Sequence, residues 1–357
     1  MGSMEHGLSI GECTRARLAR QKNLLWPDRD LARARSQFYR KIRDFFDRRD
    51  FVETETPLLS QHLIPESAIE VFRTMLTHPH RASDELYLTP SPEIYMKILI
   101  SEGIGNCYQL TKSFRNAEHY SDRHQAEFTM LEWYAMGQTY LENIETTQAL
   151  LRVLAPSAHP ESRTLFENFA EINMRDLVYQ KVGIDLLSCE SFEALCHAAR
   201  AAGFEAYVAA SESWEELFNR IFISHIEPTM PRDRTIFLKD YPAQIPTTAK
   251  RRNQVYERWE FYMRGWEMAN CYTEEAAYEQ MHQLFQSEQA LKDNMMTPHR
   301  VDYDYLEIFR KGFPLCSGVA LGVDRLFAIH QNAPSLDAVS LFPMGAALRR
   351  GCVLRSG

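Results

Sequence analysis

The sequence has few cysteines, and they do not form a pattern that a structural role would require. Seven of its 357 residues are cysteine, an odd number, and none of them form a Cys-x-x-Cys pair. We therefore expect neither a disulfide framework nor a zinc site, and reduced thiols predict a cytoplasmic location. The sequence also lacks a signal peptide and any apolar run of membrane-spanning length, so no membrane association is expected.

The sequence has no excess of positive charge either. Its formal net charge is −8 and its isoelectric point is about 5.9. Nucleic-acid binding depends on cations that neutralise phosphates, so this balance disfavours a nucleic-acid partner and suits small substrates or a basic protein. The remaining composition, 45% hydrophobic and 25% charged, is that of a globular protein. The length allows one large domain with an insertion, or two domains.

One segment, residues 113–135, combines cations, an aromatic ring and carboxylates. Arg115 comes first, a polar loop with Arg123 and His124 follows, and a strand-like run ends the segment. Side chains at every second position of that run share one face: Phe128, Met130, Glu132 and Tyr134. This face suits a stacked base, phosphates held by arginines and an amine near the carboxylate. Taken alone, the segment fits a buried strand after a charged hairpin equally well.

A second segment, GVALGVDR, has small residues on one face of a predicted strand. Gly318, Ala320 and Gly322 alternate there, and glycine on a strand face usually marks the close approach of a ligand or another backbone. We predict that Asp324 is the N-cap of the following helix and that Arg325 opens it. An arginine at that position can reach a phosphate above the glycines.

A third segment, residues 257–275, carries acids between β-prone residues. The acids recur every seven residues: Glu260, Glu267 and Glu274. A turn at Gly265 predicts a hairpin, and Asn270 lies between the last two acids. These oxygen-bearing side chains favour a magnesium and amine site, although a solvated charged edge explains any one of them alone.

These segments resemble the motifs of class II aminoacyl-tRNA synthetases. FRNAE…RHQAEF resembles motif 2, GVALGVDRL resembles motif 3, and FFDRRDFVETETPLLS resembles motif 1 with its dimer-interface helix; all three occur in the family's order. EFTMLEWY and SPEIYMK match the lysyl branch, and within it the shortened elongation factor P lysine ligases. The resemblance covers residues 33–155 and 235–330.

The resemblance implies an α+β fold, an antiparallel sheet flanked by helices, and a homodimer. We expect an extension over residues 1–32, a catalytic domain over 33–345 with an inserted helical subdomain at 156–234, and a tail over 346–357. The first 32 residues are too few for an anticodon-binding domain, so we do not expect one to precede the catalytic domain.

The resemblance also implies the roles of individual residues, with ATP and Mg²⁺ as cofactors. The implied ATP contacts are Arg115, Glu118, Arg123, His124, Phe128, Glu267 and Arg325, of which Arg115 and Arg325 are catalytic. The implied metal ligands are Glu260 and Glu267. The implied lysine-pocket residues are Ser91, Glu93, Glu132, Tyr134, Asn270, Glu274, Gly318 and Ala320. Ser91 also fits a helix cap.

Two positions depart from lysyl-tRNA synthetases. Ala117 replaces a motif 2 glutamate, and we expect Glu118 to take its role. Ala320 replaces a glycine, as in the elongation factor P ligases, which implies a preference for (R)-β-lysine over α-lysine. The implied function is ATP-dependent activation of (R)-β-lysine and its transfer to a lysine of elongation factor P, without tRNA. Two alternatives remain open: a truncated lysyl-tRNA synthetase-like enzyme with another acceptor, and a catalytically silent ligand-binding paralogue.

Overall fold

The computed structural model describes residues 28–117 and 121–343. The helices are α1 (Arg29–Asp47), α2 (Glu93–Ser101), α3 (Tyr140–Leu154), α4 (Met174–Val182), α5 (Phe192–Ala201), α6 (Glu205–Ala209), α7 (Trp214–Ile221), α8 (Tyr278–Lys292), α9 (Glu307–Arg310) and α10 (Val323–His330). The strands are β1 (Val52–Glu53), β2 (Leu59–Ser60), β3 (Arg73–Leu76), β4 (Asp84–Leu88), β5 (Cys107–Phe114), β6 (Glu127–Met136), β7 (Phe169–Asn173), β8 (Thr235–Pro242), β9 (Arg251–Arg252), β10 (Val255–Met263), β11 (Trp266–Thr273) and β12 (Cys316–Gly322).

The fold is built on a nine-stranded sheet in the order β1-β5-β6-β12-β11-β10-β8-β7, with β9 paired to β10. The central pairs are antiparallel, whereas β1–β5 and β7–β8 are parallel. The predicted α+β class is therefore confirmed, and the predicted antiparallel sheet carries a parallel pair towards each edge. A second sheet has three strands in the order β2-β4-β3.

Register places three distant segments side by side in the centre of the large sheet. Ala320 of β12 lies opposite Glu132 of β6 and Asn270 of β11. Because neighbouring residues of a strand face opposite sides, the intervening apolar residues turn to the other face. There they join one buried cluster with side chains of α1, α3 and α10. One face is thus packed as core, while the central strands' other face carries the polar residues of the motifs.

The predicted hairpin in the third segment is confirmed. β10 and β11 pair antiparallel and are joined by Arg264 and Gly265, with φ angles of 52° and 75°. Positive φ at both turn residues gives the turn whose twist matches that of the two strands.

The predicted insertion, residues 156–234, is helical over much of its length but is not separate from the sheet. Its strand β7 extends the large sheet by pairing with β8. Beyond β7, helices α4 to α7 enclose a second buried cluster, and this cluster also packs on β8 residues such as Ile236 and Leu238.

One helix begins inside the predicted extension, and one predicted helix cap differs from the structure. Helix α1 begins at Arg29, inside the predicted extension, because the Asp28 carboxylate caps it by accepting from the backbone N–H of Asp30 at 2.8 Å. The prediction that Asp324 caps α10 is wrong, since Gly322 is the N-cap residue. Asp324 lies in the first turn of α10, and its carboxylate interacts with groups from other elements.

These partners connect three elements. The Asp324 carboxylate accepts from the backbone N–H of Thr129 in β6 at 2.6 Å and forms an ion pair with Arg35 of α1. Both side chains of the pair are largely buried. Removing one partner of a buried pair leaves the other charge uncompensated, which costs more than losing an exposed pair.

We therefore expect Asp324→Asn to lower the free energy of unfolding by about 2–4 kcal/mol in urea titrations. The control is Glu127→Gln, which removes the half-exposed Lys112–Glu127 pair, 3.2 Å between Nζ and Oε1, and should cost about 0.5 kcal/mol or less. Equal losses in the two variants would contradict the account of Asp324.

Candidate active site

The polar face of the sheet borders two adjoining cavities. The first, which we call the cationic cavity, is lined in part by Arg115, Arg123, His124, Phe128, Glu267, Gly322 and Arg325. The second, the acidic cavity, is lined in part by Glu66, Ser91, Glu93, Glu132, Tyr134, Asn270, Glu274 and Gly318. Four residues line both: Arg115, Met130, Asn270 and Ala320. The two cavities therefore meet beside the motif 2 arginine.

Backbone carbonyls hold the arginines of the cationic cavity in place. Arg325 donates to the carbonyl oxygens of Arg123 at 2.9 Å and Glu267 at 2.8 Å, and Arg123 donates to that of Gly265 at 3.2 Å. The Arg115 guanidinium carbon lies 5.5 Å from the centre of the Phe128 ring. Its buried Nε has no hydrogen-bond partner in residues 28–117 and 121–343.

The acidic cavity holds carboxylates that are incompletely satisfied. Tyr134 donates its hydroxyl to Glu132 Oε1 at 2.7 Å. The other Glu132 oxygen is buried and has no partner among the residues that the structure describes. A buried acceptor without a donor is costly, so this oxygen is available to a ligand that carries a donor.

Burial raises the pKa of these carboxyl groups. The pKa of Glu132 rises to about 8, chiefly through burial and then through the charge of Glu93. Burial also raises the pKa of Glu274 to about 7 against the opposing charge of Lys97. For Glu66 burial and Glu93 together raise the pKa to about 7. A cation bound beside these carboxyl groups would lower their pKa values again, so the cavity suits a ligand with ammonium groups.

Gly318 is required by the close approach of protein groups. A Cβ atom at this position would lie 2.5 Å from both Glu274 Oε1 and Tyr134 Cε1. The glycine therefore lets the carboxylate and the phenol ring lie directly on strand β12. At Gly322 the same atom would lie 3.7 Å from its nearest neighbours, an ordinary contact.

The structure brings together most of the side chains that the sequence singled out. Ser91 lines the acidic cavity, and its hydroxyl accepts from the backbone N–H of Glu93 at 3.1 Å, but the N-cap residue of α2 is Pro92. Glu260 does not line either cavity, and its carboxylate accepts from Arg258 and Tyr262. The prediction for Glu118 lies outside the described residues.

Glu66 and Lys97 are two charged residues at the site that the sequence analysis did not single out. Glu66 lines the acidic cavity from a loop before β3, and nothing in its sequence surroundings marks it. Lys97 lies behind that cavity, four residues after Glu93 in α2. Helical i, i+4 spacing was the available signal for Lys97, since it places the two side chains on one side of the helix.

Three further observations on the described residues concern metal-ligand clusters, cysteines and membrane-spanning helices. Within residues 28–117 and 121–343, no group of three or more histidine, cysteine, aspartate or glutamate side chains is arranged for a metal ion. Five cysteines there are free and buried: Cys107, Cys189, Cys196, Cys271 and Cys316. The same residues include no helix with both the length and the apolarity to span a membrane.

The α+β fold with its large, centrally antiparallel sheet is the one expected for a class II synthetase. The family model for tRNA synthetases class II (D, K and N) matches residues 27–346. The chain therefore belongs to this family, in the group that includes the elongation factor P–(R)-beta-lysine ligases, and it is an ATP-dependent ligase.

Two kinds of curated relative are similar to this chain. An "Elongation factor P--(R)-beta-lysine ligase" of Histophilus somni is 33% identical, and one of Vibrio cholerae is 31% identical; each match covers 88% of this chain and 95% of the relative. A "Lysine--tRNA ligase" of Pelotomaculum thermopropionicum is 29% identical over 88% of this chain. The chain spans 63% of that longer relative.

We expect Gly318→Ala to lower the free energy of unfolding by about 1–3 kcal/mol, because the added methyl group collides with Glu274 and Tyr134. Gly322→Ala adds the same group on the same strand face at ordinary contact distance, and should change the free energy by about 0.5 kcal/mol or less. Urea unfolding of both variants tests this, and equal effects would refute the role of Gly318.

Stability should fall as pH rises from about 5 to 8. The folded protein keeps a proton on Glu132 up to about pH 8, whereas the unfolded chain releases it near the ordinary value of 4.5. Between these values the folded state binds more protons, so raising the pH favours unfolding. Glu132→Gln should match the wild type at pH 4, below the pKa of the unfolded chain, and unfold at a higher temperature at pH 8. Lower melting temperatures for Glu132→Gln at both pH values would contradict this.

Proposed function

We propose that this chain activates (R)-β-lysine with ATP and transfers the resulting acyl group to a lysine side chain of translation elongation factor P. The supporting observation is the pair of adjoining cavities, one cationic and one acidic, with Arg115 between them. ATP fits the first cavity through its phosphates and base. A diamino acid fits the second through its ammonium groups, with its carboxylate directed towards Arg115.

Activation requires no side-chain nucleophile. A carboxylate oxygen of the diamino acid attacks the α-phosphorus of ATP, the bond to the β-phosphate bridge breaks, and pyrophosphate leaves with the electron pair. Arg115 neutralises the carboxylate and the α-phosphate at the point where they meet, while Arg123 and Arg325 hold the outer phosphates and Phe128 stacks on the base. The protein thus contributes position and charge.

Transfer then uses an amine from the partner protein. A neutral lysine amine attacks the acyl carbon of the adenylate, AMP leaves, and the amine releases its proton to solvent. The names of the Histophilus and Vibrio relatives support elongation factor P as that partner.

Mg²⁺ would be held by Glu267, which lines the cationic cavity, with Glu260 behind it. Burial and the charge of Glu260 raise the pKa of Glu267 to about 7, so this pair holds negative charge that a divalent cation would neutralise. Bound there, the ion would screen the phosphates of ATP. Glu260 would share its carboxylate between the ion and its present partners Arg258 and Tyr262.

The choice of lysine isomer rests on Ala320, which lines both cavities where the activated carboxylate must lie. A methyl group at this position narrows the floor beneath the substrate backbone. We propose that it favours (R)-β-lysine, whose amino group is one carbon further from the carboxylate, over α-lysine.

We further propose that the enzyme is a homodimer in the cytoplasm and uses no tRNA. Exposed apolar side chains on the short strands, among them Val52, Leu59 and Met75, supply candidate contact surface. Light scattering would report twice the 41.5 kDa mass of one chain for the dimer.

A second candidate is acylation of tRNA, which the similarity to the Pelotomaculum lysine–tRNA ligase favours. The two functions share activation and differ in the acceptor. Incubation with labelled (R)-β-lysine or α-lysine, ATP and either tRNA or elongation factor P would separate them.

The decisive test combines two measurements. We expect ATP–pyrophosphate exchange that depends on (R)-β-lysine more than on α-lysine or (S)-β-lysine, and a mass gain of one lysyl residue on elongation factor P. Glu132→Gln replaces the carboxyl group by an amide, which cannot ionise when a ligand ammonium binds beside it, and should raise the KM for the diamino acid about 10- to 100-fold.

Glu127→Gln, the same change at a half-exposed position of β6, should leave the KM within about twofold. Absence of exchange with every lysine isomer would leave a ligand-binding paralogue and refute the proposal. Exchange without a mass gain would refute elongation factor P as the acceptor.

A further inference from the structure

Lys97 lies behind the acidic cavity, in contact with two of the carboxylates that line it. Its side chain is only 1% exposed. Its ammonium nitrogen lies 2.6 Å from Glu93 Oε1 and 2.6 Å from Glu274 Oε2. Lys97 is not among the residues that line the cavity, whereas both carboxylates are. The ammonium group is therefore fixed on the side of the carboxylates away from the ligand space.

The fold holds this lysine in place from several elements. It follows Glu93 by one helical turn in α2, and its neighbours Ile94, Met96 and Ile100 belong to a buried cluster that also includes Tyr305 and Cys316. Glu274 reaches it from the chain just after β11. Lys97 interacts electrostatically with titratable groups from several elements: Glu66, Glu93, Glu132, Glu274, Tyr305 and Cys316.

Lys97 stays charged in spite of its burial. Burial alone would lower its pKa, but the carboxylates of Glu274 and Glu93 raise that pKa well above the ordinary value. Two carboxylates on one buried ammonium retain one net negative charge, which a ligand ammonium can neutralise. Without the lysine the two acids would repel each other, and one would hold a proton in place of a cation.

We propose that Lys97 is a positioning residue, which holds Glu93 and Glu274 side by side and ionised so that they receive the side-chain ammonium of the substrate. This inference rests on the proposed activation of a diamino acid. Under this proposal, Lys97 is a fixed internal counter-ion that maintains the negative charge of Glu93 and Glu274. The substrate does not touch Lys97 itself.

The test is Lys97→Met, which keeps the length of the side chain and removes its charge. ATP–pyrophosphate exchange would be followed from pH 6 to 9 with L-lysine and (R)-β-lysine. In the wild type we expect the KM for the better substrate to fall as pH rises towards about 7, where Glu274 ionises. In Lys97→Met the decrease in KM should occur at a pH at least about one unit higher than in the wild type. At pH 7 the KM for the amino acid should be raised about 10- to 100-fold, while the KM for ATP should not change.

Lys292→Met is the matched control. Lys292 is equally buried, with 0% exposure, but it lies at the end of α8 and its ammonium is 3.9 Å from Glu70, outside both cavities. Its loss should lower the melting temperature without moving the pH dependence of the KM. A merely structural role for Lys97 would make the two variants alike.

A second variant covers the case in which Lys97→Met does not fold. Glu93→Gln/Lys97→Met removes one acid together with the cation, so it restores the charge balance and should fold. Its pH dependence should lie near that of the wild type, although its KM is higher because one acceptor is lost.

An unshifted pH dependence in Lys97→Met, or a shift that the double variant does not reverse, would overturn the role of Lys97 while leaving the proposed function intact. A wild type that is inactive with every lysine isomer would overturn the proposed function and this inference with it.

Discussion

The site depends on an uneven distribution of buried charge along one face of a sheet. Arginines gather at one end and carboxylates at the other, and strand register brings the centres of the three strands β6, β11 and β12 together. A shift of one residue in β6 would turn Glu132 and Tyr134 into the core. Isolated buried charges are costly, so each end requires partners. Lys97, Arg115 and backbone carbonyl oxygens compensate some of these buried charges. The charges that they leave uncompensated determine which charged groups of a ligand the cleft can bind.

Patterns confined to neighbouring residues predicted the central part of the site. Period-two alternation placed Glu132 and Tyr134 on one face of β6, and the turn at Gly265 predicted the β10–β11 hairpin; the structure contains both elements. Such features follow from local sterics, so they can be inferred without knowing the rest of the fold. Local patterns do not show which distant segments lie together, and this information came from the resemblance to class II synthetases. The family match confirmed that resemblance.

Features set by distant partners could not be predicted in the same way. Asp324 has the residue type of an N-cap, but Thr129 and Arg35 take its carboxylate from other elements. Glu66 lines the acidic cavity from a loop whose next residue, Ser67, donates its backbone N–H to Glu288 of α8, 221 residues away. Each case is decided by a tertiary contact that overrides or replaces the local preference.

The crowding at Gly318 limits how this cleft can change during evolution or laboratory selection. Any larger residue there must displace Glu274 and Tyr134, so variation at that position disrupts the proposed amine site before it alters the proposed choice of substrate. Ala320, two residues along the same strand, faces the boundary of both cavities. Mutant libraries that seek new amino-acid substrates should therefore vary position 320 and keep position 318 fixed.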